Sequence, residues 1–428
     1  MFNKKRYKVM KNLELILISF ALMCFIAQIN AQTNSQLPKW ALNGKEVDFV
    51  NETVNNLSSS LTSPKYLSNS YYNWDNEMLF HIIDNNLWWG NGSLAGNLFI
   101  DTDTFHADEI FTEMVVVPKK SITCNEGEYY VIYPLQKMVR DNDKSNNPII
   151  TYSIYYNEVN AANNVLSSEN LLIELESGIN NFALLGTAVT DFLPSTETRR
   201  LYYVYYSQTN DASSIKFFDI QSDGIYGPYN VATINHNSNP NSRRFRPAEV
   251  EISTDLSKLV FTNSKFGSHT SYNNTNDITI VHINPTTGYL NTSLGNNGYT
   301  HIDLGPQNSL YDIYLGLEFD ATSQYLYATR YNTGLYRYNL STGIHAPIDY
   351  TDAISNSQLE LSRDGNIYGI AADGKLYKIN NLGQFSYSEY DVTSTGVVTN
   401  NNIYVPFRTL PEQIDGYIYD DLFTEINS

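Results

Sequence analysis

The chain has 428 residues, of which 42% are hydrophobic, and a formal net charge of −18. Acidity on this scale repels phosphate backbones, so nucleic acid is excluded as a partner, and the surplus of carboxylates reads first as solubility outside the cell. Aromatic residues make up 13% of the chain and 34 of them are tyrosines, a composition suited to pleated, half-buried sheets with hydroxyls at wet edges.

Residues 1–31 read as a secretory signal peptide. Lys4, Lys5, Arg6, Lys8 and Lys11 form a basic start, residues 13–29 are mostly apolar, and Ala31 offers a small residue before the cut. The apolar run is short for a membrane span and carries Glu14 and Gln28 near its ends; no later stretch is long enough to cross a bilayer. The expectation is therefore an exported protein, secreted or otherwise extracytoplasmic, in which residues 32–428 form a single domain. Cys24 lies in the leader and Cys124 is then the remaining cysteine, so no intramolecular disulfide can form, and Cys124 reads as a small buried hydrophobe.

Beyond the leader, short alternating runs bounded by Asn, Gly, Asp, Ser and Pro follow one another, the pattern of strands and turns. Six strand groups are expected. The first holds residues 77–83 and 86–89; the second 113–118, 128–133 and 149–155; the third 182–189, 200–206 and 215–220. The fourth holds 250–262 and 278–283, the fifth 317–329 and 335–340, and the sixth 359–370 and 376–379.

The last three groups repeat one another. Segments 250–262 (VEISTDLSKLVFT), 317–329 (LEFDATSQYLYAT) and 359–370 (LELSRDGNIYGI) align with one deletion, each a strand, a polar turn and a strand. Each is followed by a strand that runs into a Gly-containing turn: 280–288 (IVHINPTTG), 335–343 (LYRYNLSTG) and 376–383 (LYKINNLG). Two elements recurring in fixed order mark a repeat whose unit is a small antiparallel sheet. The fold class is all-β, a β-propeller of six or seven four-stranded blades. The count turns on closure: residues 403–407 are a candidate strand for the first blade, and residues 46–50 for the last.

The order of 76–84 (NEMLFHIID), 114–119 (MVVVPK), 129–132 (YYVI), 151–153 (TYS), 317–320 (LEFD), 359–368 (LELSRDGNIY) and 410–415 (LPEQID) resembles the WD40-like N-terminal propeller of secreted Bacteroidota proteins associated with type IX secretion and gliding motility. The resemblance spans roughly residues 70–416. It implies an extracytoplasmic location and a binding or adhesive role, and it brings no catalytic residues. Members of that family continue past the Leu-Pro segment into further β-domains and a sorting domain, whereas this sequence ends at Ser428, so the means of surface retention stays open.

No motif supplies chemistry. His81, His106, His236, His269, His282, His301 and His345 form no zinc-type pair. Residues 141–147 (DNDKSNN) begin like a calcium loop but hold Asn146 and Tyr152 where Gly and Glu are needed. No cofactor and no metal are expected; calcium in an irregular oxygen cage is the alternative. The most ligand-like feature is Trp88-Trp89, followed by Gly90-Asn91-Gly92. Adjacent strand residues face opposite ways, so at most one tryptophan is core and the other is a candidate to stack on a sugar or meet a partner. The leading reading is a non-catalytic binding, adhesion or scaffold module with an extracellular protein or glycan partner. The alternative is a propeller hydrolase or lyase, lactonase-like or glycan-degrading, with acidic residues and a divalent cation at the central channel.

Overall fold

The structure, a computed structural model, describes residues 39–391 apart from 43–44, 50, 58–67, 73–76, 84, 100–108, 111–113, 120–126, 140–148, 178–181, 194–195, 208, 236–243, 246–248, 263–264, 267–274, 307–313, 331–333, 350–356, 363, 371–374 and 381–384. The expected leader, Cys124, the 141–147 loop and the candidate closing strand at 403–407 lie outside the described residues.

All regular structure described is β. Blade 1 is β1 (Lys39–Leu42), β2 (Lys45–Asp48) and β3 (Thr53–Asn56); blade 2 is β4 (Ser68–Tyr72), β5 (Met78–Ile83), β6 (Asn86–Trp89) and β7 (Leu94–Asn97). Blade 3 has β8 (Glu109–Ile110), β9 (Val115–Pro118), β10 (Glu128–Val139), β11 (Ile149–Asn160), β12 (Val165–Leu166) and β13 (Asn170–Ser177). Blade 4 has β14 (Phe182–Val189), β15 (Arg199–Ser207), β16 (Ala212–Gln221) and β17 (Gly224–Asn235). A two-stranded ribbon, β18 (Arg244–Phe245) with β21 (Lys265–Phe266), adjoins blade 5, which is β19 (Val250–Ile252), β20 (Lys258–Thr262), β22 (Thr275–His282) and β23 (Tyr299–Pro306). Blade 6 is β24 (Tyr314–Phe319), β25 (Tyr325–Arg330), β26 (Gly334–Asn339) and β27 (His345–Asp349); blade 7 is β28 (Leu359–Leu361), β29 (Ile367–Ile370), β30 (Lys375–Ile379) and β31 (Phe385–Asp391). Within each four-stranded blade the strands pair antiparallel in chain order, and inner strands of neighbouring blades approach one another, as β1 does β4, β14 does β19, β19 does β24 and β24 does β28. The molecule is a seven-bladed β-propeller.

The seventh sheet corrects one expected pairing. Residues 45–48 do not add to the last blade; β2 pairs with β1 and β3 to make a sheet of its own. That sheet closes the ring by packing. Trp40, Leu42, Val47 and Phe49 form one apolar cluster with Tyr368, Ile370, Leu376 and Tyr390 of blade 7. Phe49 stands 4.5 Å from Tyr368 and Trp40 meets Phe49 edge-on at 4.8 Å, arrangements favoured by the ring quadrupoles.

Tyrosine pairs follow from blades buried on both faces. Neighbouring strand residues point opposite ways, so a Tyr-Tyr pair gives one ring to each adjacent blade. Tyr129 joins the core between blades 2 and 3, and Tyr130 that between blades 3 and 4. Tyr155 and Tyr156 divide the same way, and Tyr202 and Tyr203 divide between the cores on the two sides of blade 4.

The repeated hairpins share one turn. Leu256, Ser323 and Gly365 occupy the same place with φ of 55°, 55° and 75°. Each donates its N–H to the residue three earlier: Leu256 to Ser253 O at 2.7 Å, Ser323 to Asp320 O at 2.8 Å, Gly365 to Ser362 O at 2.9 Å. Left-handed backbone is disfavoured for any residue with a Cβ. Gly365→Ala is therefore expected to destabilise the protein by about 1 kcal/mol, read as a lower urea midpoint at unchanged slope. An unchanged midpoint would mean that this turn relaxes without cost.

Candidate functional site

A propeller presents two kinds of site: the axis, lined by the first strand of each blade, and the loops and outer edges. At the axis the protein places carboxylates. The second residue of each repeated strand is Glu251, Glu318 or Glu360, and Glu249 precedes β19; all four are buried. Val250 and Ile252 pack towards blade 4, Leu317 and Phe319 towards blade 5, and Leu359 and Leu361 towards blade 6, so the intervening glutamate of each strand faces the blade ahead.

Two of the four, Glu249 and Glu318, act as acceptors for exposed strand edges. The first strand of a blade has no partner on its inner side, and its N–H groups need one. Glu249 of blade 5 accepts hydrogen bonds from Leu317 N of blade 6 and from Leu359 N of blade 7, the latter at 3.1 Å. Glu318 of blade 6 accepts from Leu361 N of blade 7 at 2.7 Å and from its own neighbour Phe319 N at 2.7 Å. These are charge-assisted bonds, and they tie three blades together near the axis. Among the described residues no group of three or more His, Cys, Asp or Glu is arranged to hold a metal ion. The acidic strands were visible in the sequence as repeats. The signal that marks their glutamates is the repeat itself: the same position holds Glu in all three copies.

The two tryptophans part company. Trp89 is buried in the core between blades 2 and 3, opposite Phe80. Trp88 lies on the other face of β6, half-buried, opposite His81 on one side and the exposed Leu94 on the other. That face looks towards blade 1, to which it is joined by polar contacts: Ala41 N donates to Ser70 Oγ at 3.0 Å and the Tyr72 hydroxyl to Glu46 at 3.1 Å. His81 is 3% exposed and neither ring nitrogen has a hydrogen-bond partner. Burial holds its pKa down at about 4. Of the other described histidines, His282 bonds Thr300 Oγ1 at 2.9 Å and His301 bonds Thr279 Oγ1 at 3.1 Å, both across the β22–β23 pair. His345 begins β27 on the surface.

No family model matches the chain, and no curated protein matches it. Solved structures do. A putative dipeptidyl aminopeptidase IV from Bacteroides ovatus is 13% identical over 82% of this chain and 50% of its own, with a TM-score of 0.35. A structural genomics protein of unknown function from Bacteroides thetaiotaomicron is 12% identical over 64% of this chain and 72% of its own, with a TM-score of 0.25. The β-propeller domain of Cps50 (Swd1) from Myceliophteria thermophila is 10% identical over 59% of this chain and 73% of its own, with a TM-score of 0.32. The chain thus spans half the length of the first of these proteins. At such scores the assignment as a propeller rests on this protein's own sheet order and blade packing.

Proposed function

We propose that this is an extracytoplasmic propeller that works by binding an extracellular protein or glycan, not by catalysis, as the resemblance to the propellers of secreted gliding-motility proteins implies. The signal-like leader at residues 1–31 supports the location. One observation carries the binding reading: two of the four buried glutamates at the axis are committed to the protein's own backbone. Glu249 and Glu318 hold the main-chain amides of Leu317, Leu359 and Leu361. Turning either carboxylate towards a substrate or a divalent cation would unpair buried amides, at roughly 1–3 kcal/mol each. The binding surface then falls to loops and edges, where a rigid frame carries variable residues. Trp88 is our candidate contact there.

The test uses the chain without its leader. Chromogenic lactones and glycosides, offered with calcium and with chelator, are expected to give no turnover. Binding to immobilised polysaccharide or to a purified surface protein is expected to weaken about tenfold in Trp88→Ala, with the melting temperature held. Turnover that depends on a divalent cation would establish the hydrolase or lyase instead.

A further inference from the structure

Where blade 4 meets blade 5, two exposed tyrosines from different blades close on one buried phenylalanine. Tyr229 stands on β17, the outer strand of blade 4, directly opposite Phe217 in the register of β16 and β17. Its ring lies 5.2 Å from that of Phe217. Tyr289 comes from blade 5, on the turn between β22 and β23, and meets Phe217 edge-on at 5.6 Å. The tyrosines are 39% and 46% exposed, whereas Phe217 is 1% exposed.

The turn that carries Tyr289 is fixed. Asn284 Oδ1 accepts from Thr286 N at 3.0 Å and Thr287 N at 3.1 Å, and Gly288 N returns to Asn284 O at 2.7 Å. The Tyr202 hydroxyl of blade 4 reaches across to Gly288 O at 3.1 Å. Gly288 has a φ of 75°, where glycine is favoured, and a Cβ there would run into Arg200 Nη1 and the Tyr202 hydroxyl, so glycine lets the turn seat closely on blade 4. The aromatic ledge is therefore built before any ligand arrives.

A polar pair lies one row along the same sheet face. Arg200 and Asp219 are cross-strand partners, two residues from the Tyr202–Phe217 pair, a step of about 7 Å along the strands. Arg200 Nε donates to Asp219 Oδ1 at 3.0 Å and its guanidinium sits 4.6 Å above the Phe217 ring. Arg200 is 8% exposed; its Nη1 is buried beneath the Gly288 turn beside the Tyr202 hydroxyl, and the side chain serves to hold Asp219 in place. The Asp219 side chain is 22% exposed, with Oδ2 left over.

We propose that this ledge binds a neutral polysaccharide, one hexopyranose ring resting on Tyr229 and Tyr289 and the hydroxyls of the chain meeting the Arg200–Asp219 pair. A sugar ring offers an apolar C–H face to aromatic rings and hydroxyls that both donate and accept; Asp219, held by Arg200, supplies an exposed acceptor. The pair carries no net charge, and a chain of net charge −18 disfavours a polyanion. Tyrosine, apolar in body and polar at the tip, presents both a ring face and a hydroxyl to a hydrated ligand. The inference rests on the binding-module reading above, but on a different surface from Trp88.

The test measures retention of the leaderless protein on insoluble β-glucan, mannan and xylan, and on acidic pectin as the charged comparison, for wild type, Tyr229→Ala, Tyr289→Ala, Asp219→Asn and Tyr226→Ala. Wild type is expected to be retained on at least one neutral polymer. Each of Tyr229→Ala and Tyr289→Ala is expected to weaken retention about tenfold with the melting temperature held, and Asp219→Asn to weaken it less. Tyr226, also exposed but hydrogen-bonded to Asp223, is expected to be silent. No retention of wild type on any neutral polymer, retention unchanged in the Tyr229/Tyr289 double variant, preference for pectin, or capture of a protein through the same tyrosines would each overturn the proposal. Loss in Trp88→Ala with full retention in the tyrosine variants would overturn it while leaving the binding-module reading intact.

Discussion

Glu249→Ala is expected to cost roughly 2–6 kcal/mol of stability, because it strips two buried main-chain amides of their acceptor at roughly 1–3 kcal/mol each. Those amides belong to Leu317 and Leu359, on the first strands of two different blades. An opposing effect exists. Glu249 is itself a buried carboxylate, and removing it relieves its desolvation. The amides decide the balance, since the alanine side chain offers no acceptor in place of the lost oxygens. Glu249→Gln separates the two effects. It keeps one acceptor oxygen and sheds the charge, so it is expected to lose clearly less than the alanine variant. Urea unfolding measures the difference, and hydrogen exchange at Leu317 and Leu359 locates it. If the alanine variant leaves the exchange of both amides unchanged, the carboxylate is not the tie between blades.

Much of this fold was legible because the blades are buried on both faces. A strand that feeds two cores needs large apolar groups at successive positions, and Arg199–Ser207 shows this, with Tyr202 and Tyr203 each entering a different core. The repeated hairpins were legible for a related reason. Their turns demand a left-handed residue, and one copy meets that demand with Gly365 in an Asp-Gly pair. Blade 1 was legible only as one strand, at residues 46–50, and its partners were not. Its strands are four residues each, β3 is mostly exposed, and its apolar residues Trp40, Leu42, Val47 and Phe49 gain meaning only against blade 7, more than 300 residues later.

The sites divide along the same line. Alternation predicted that Trp88 and Trp89 would face opposite ways, and they do. It could not say that Trp88 would stand opposite a buried histidine whose nitrogens have no hydrogen-bond partner, since that depends on how blade 1 docks. The ledge at Tyr229 and Tyr289 was hidden for the same reason: the two tyrosines are 60 residues apart and meet only because two blades dock. Contacts within a blade follow from local pattern, whereas contacts between blades follow from the angle at which sheets pack.

His81 makes the blade 1–blade 2 junction the place where acid should act. Burial alone lowers its pKa from 6.5 to about 4, with no charged neighbour contributing. The unfolded chain then binds a proton that the folded one refuses. Stability should be whole above about pH 6.5 and fall as pH drops towards 4, by up to about 3 kcal/mol from this residue. Carboxylates elsewhere add their own acid dependence, so the readout is the difference between wild type and His81→Leu. That variant removes two buried nitrogens with no partners and keeps an apolar side chain of similar size, so at pH 7 it should match or exceed wild type in stability. The two urea midpoints should then diverge below pH 6.5, with wild type falling faster. Parallel profiles would mean that His81 finds a partner or solvent when it takes up its proton, and that the junction opens more readily than its burial implies.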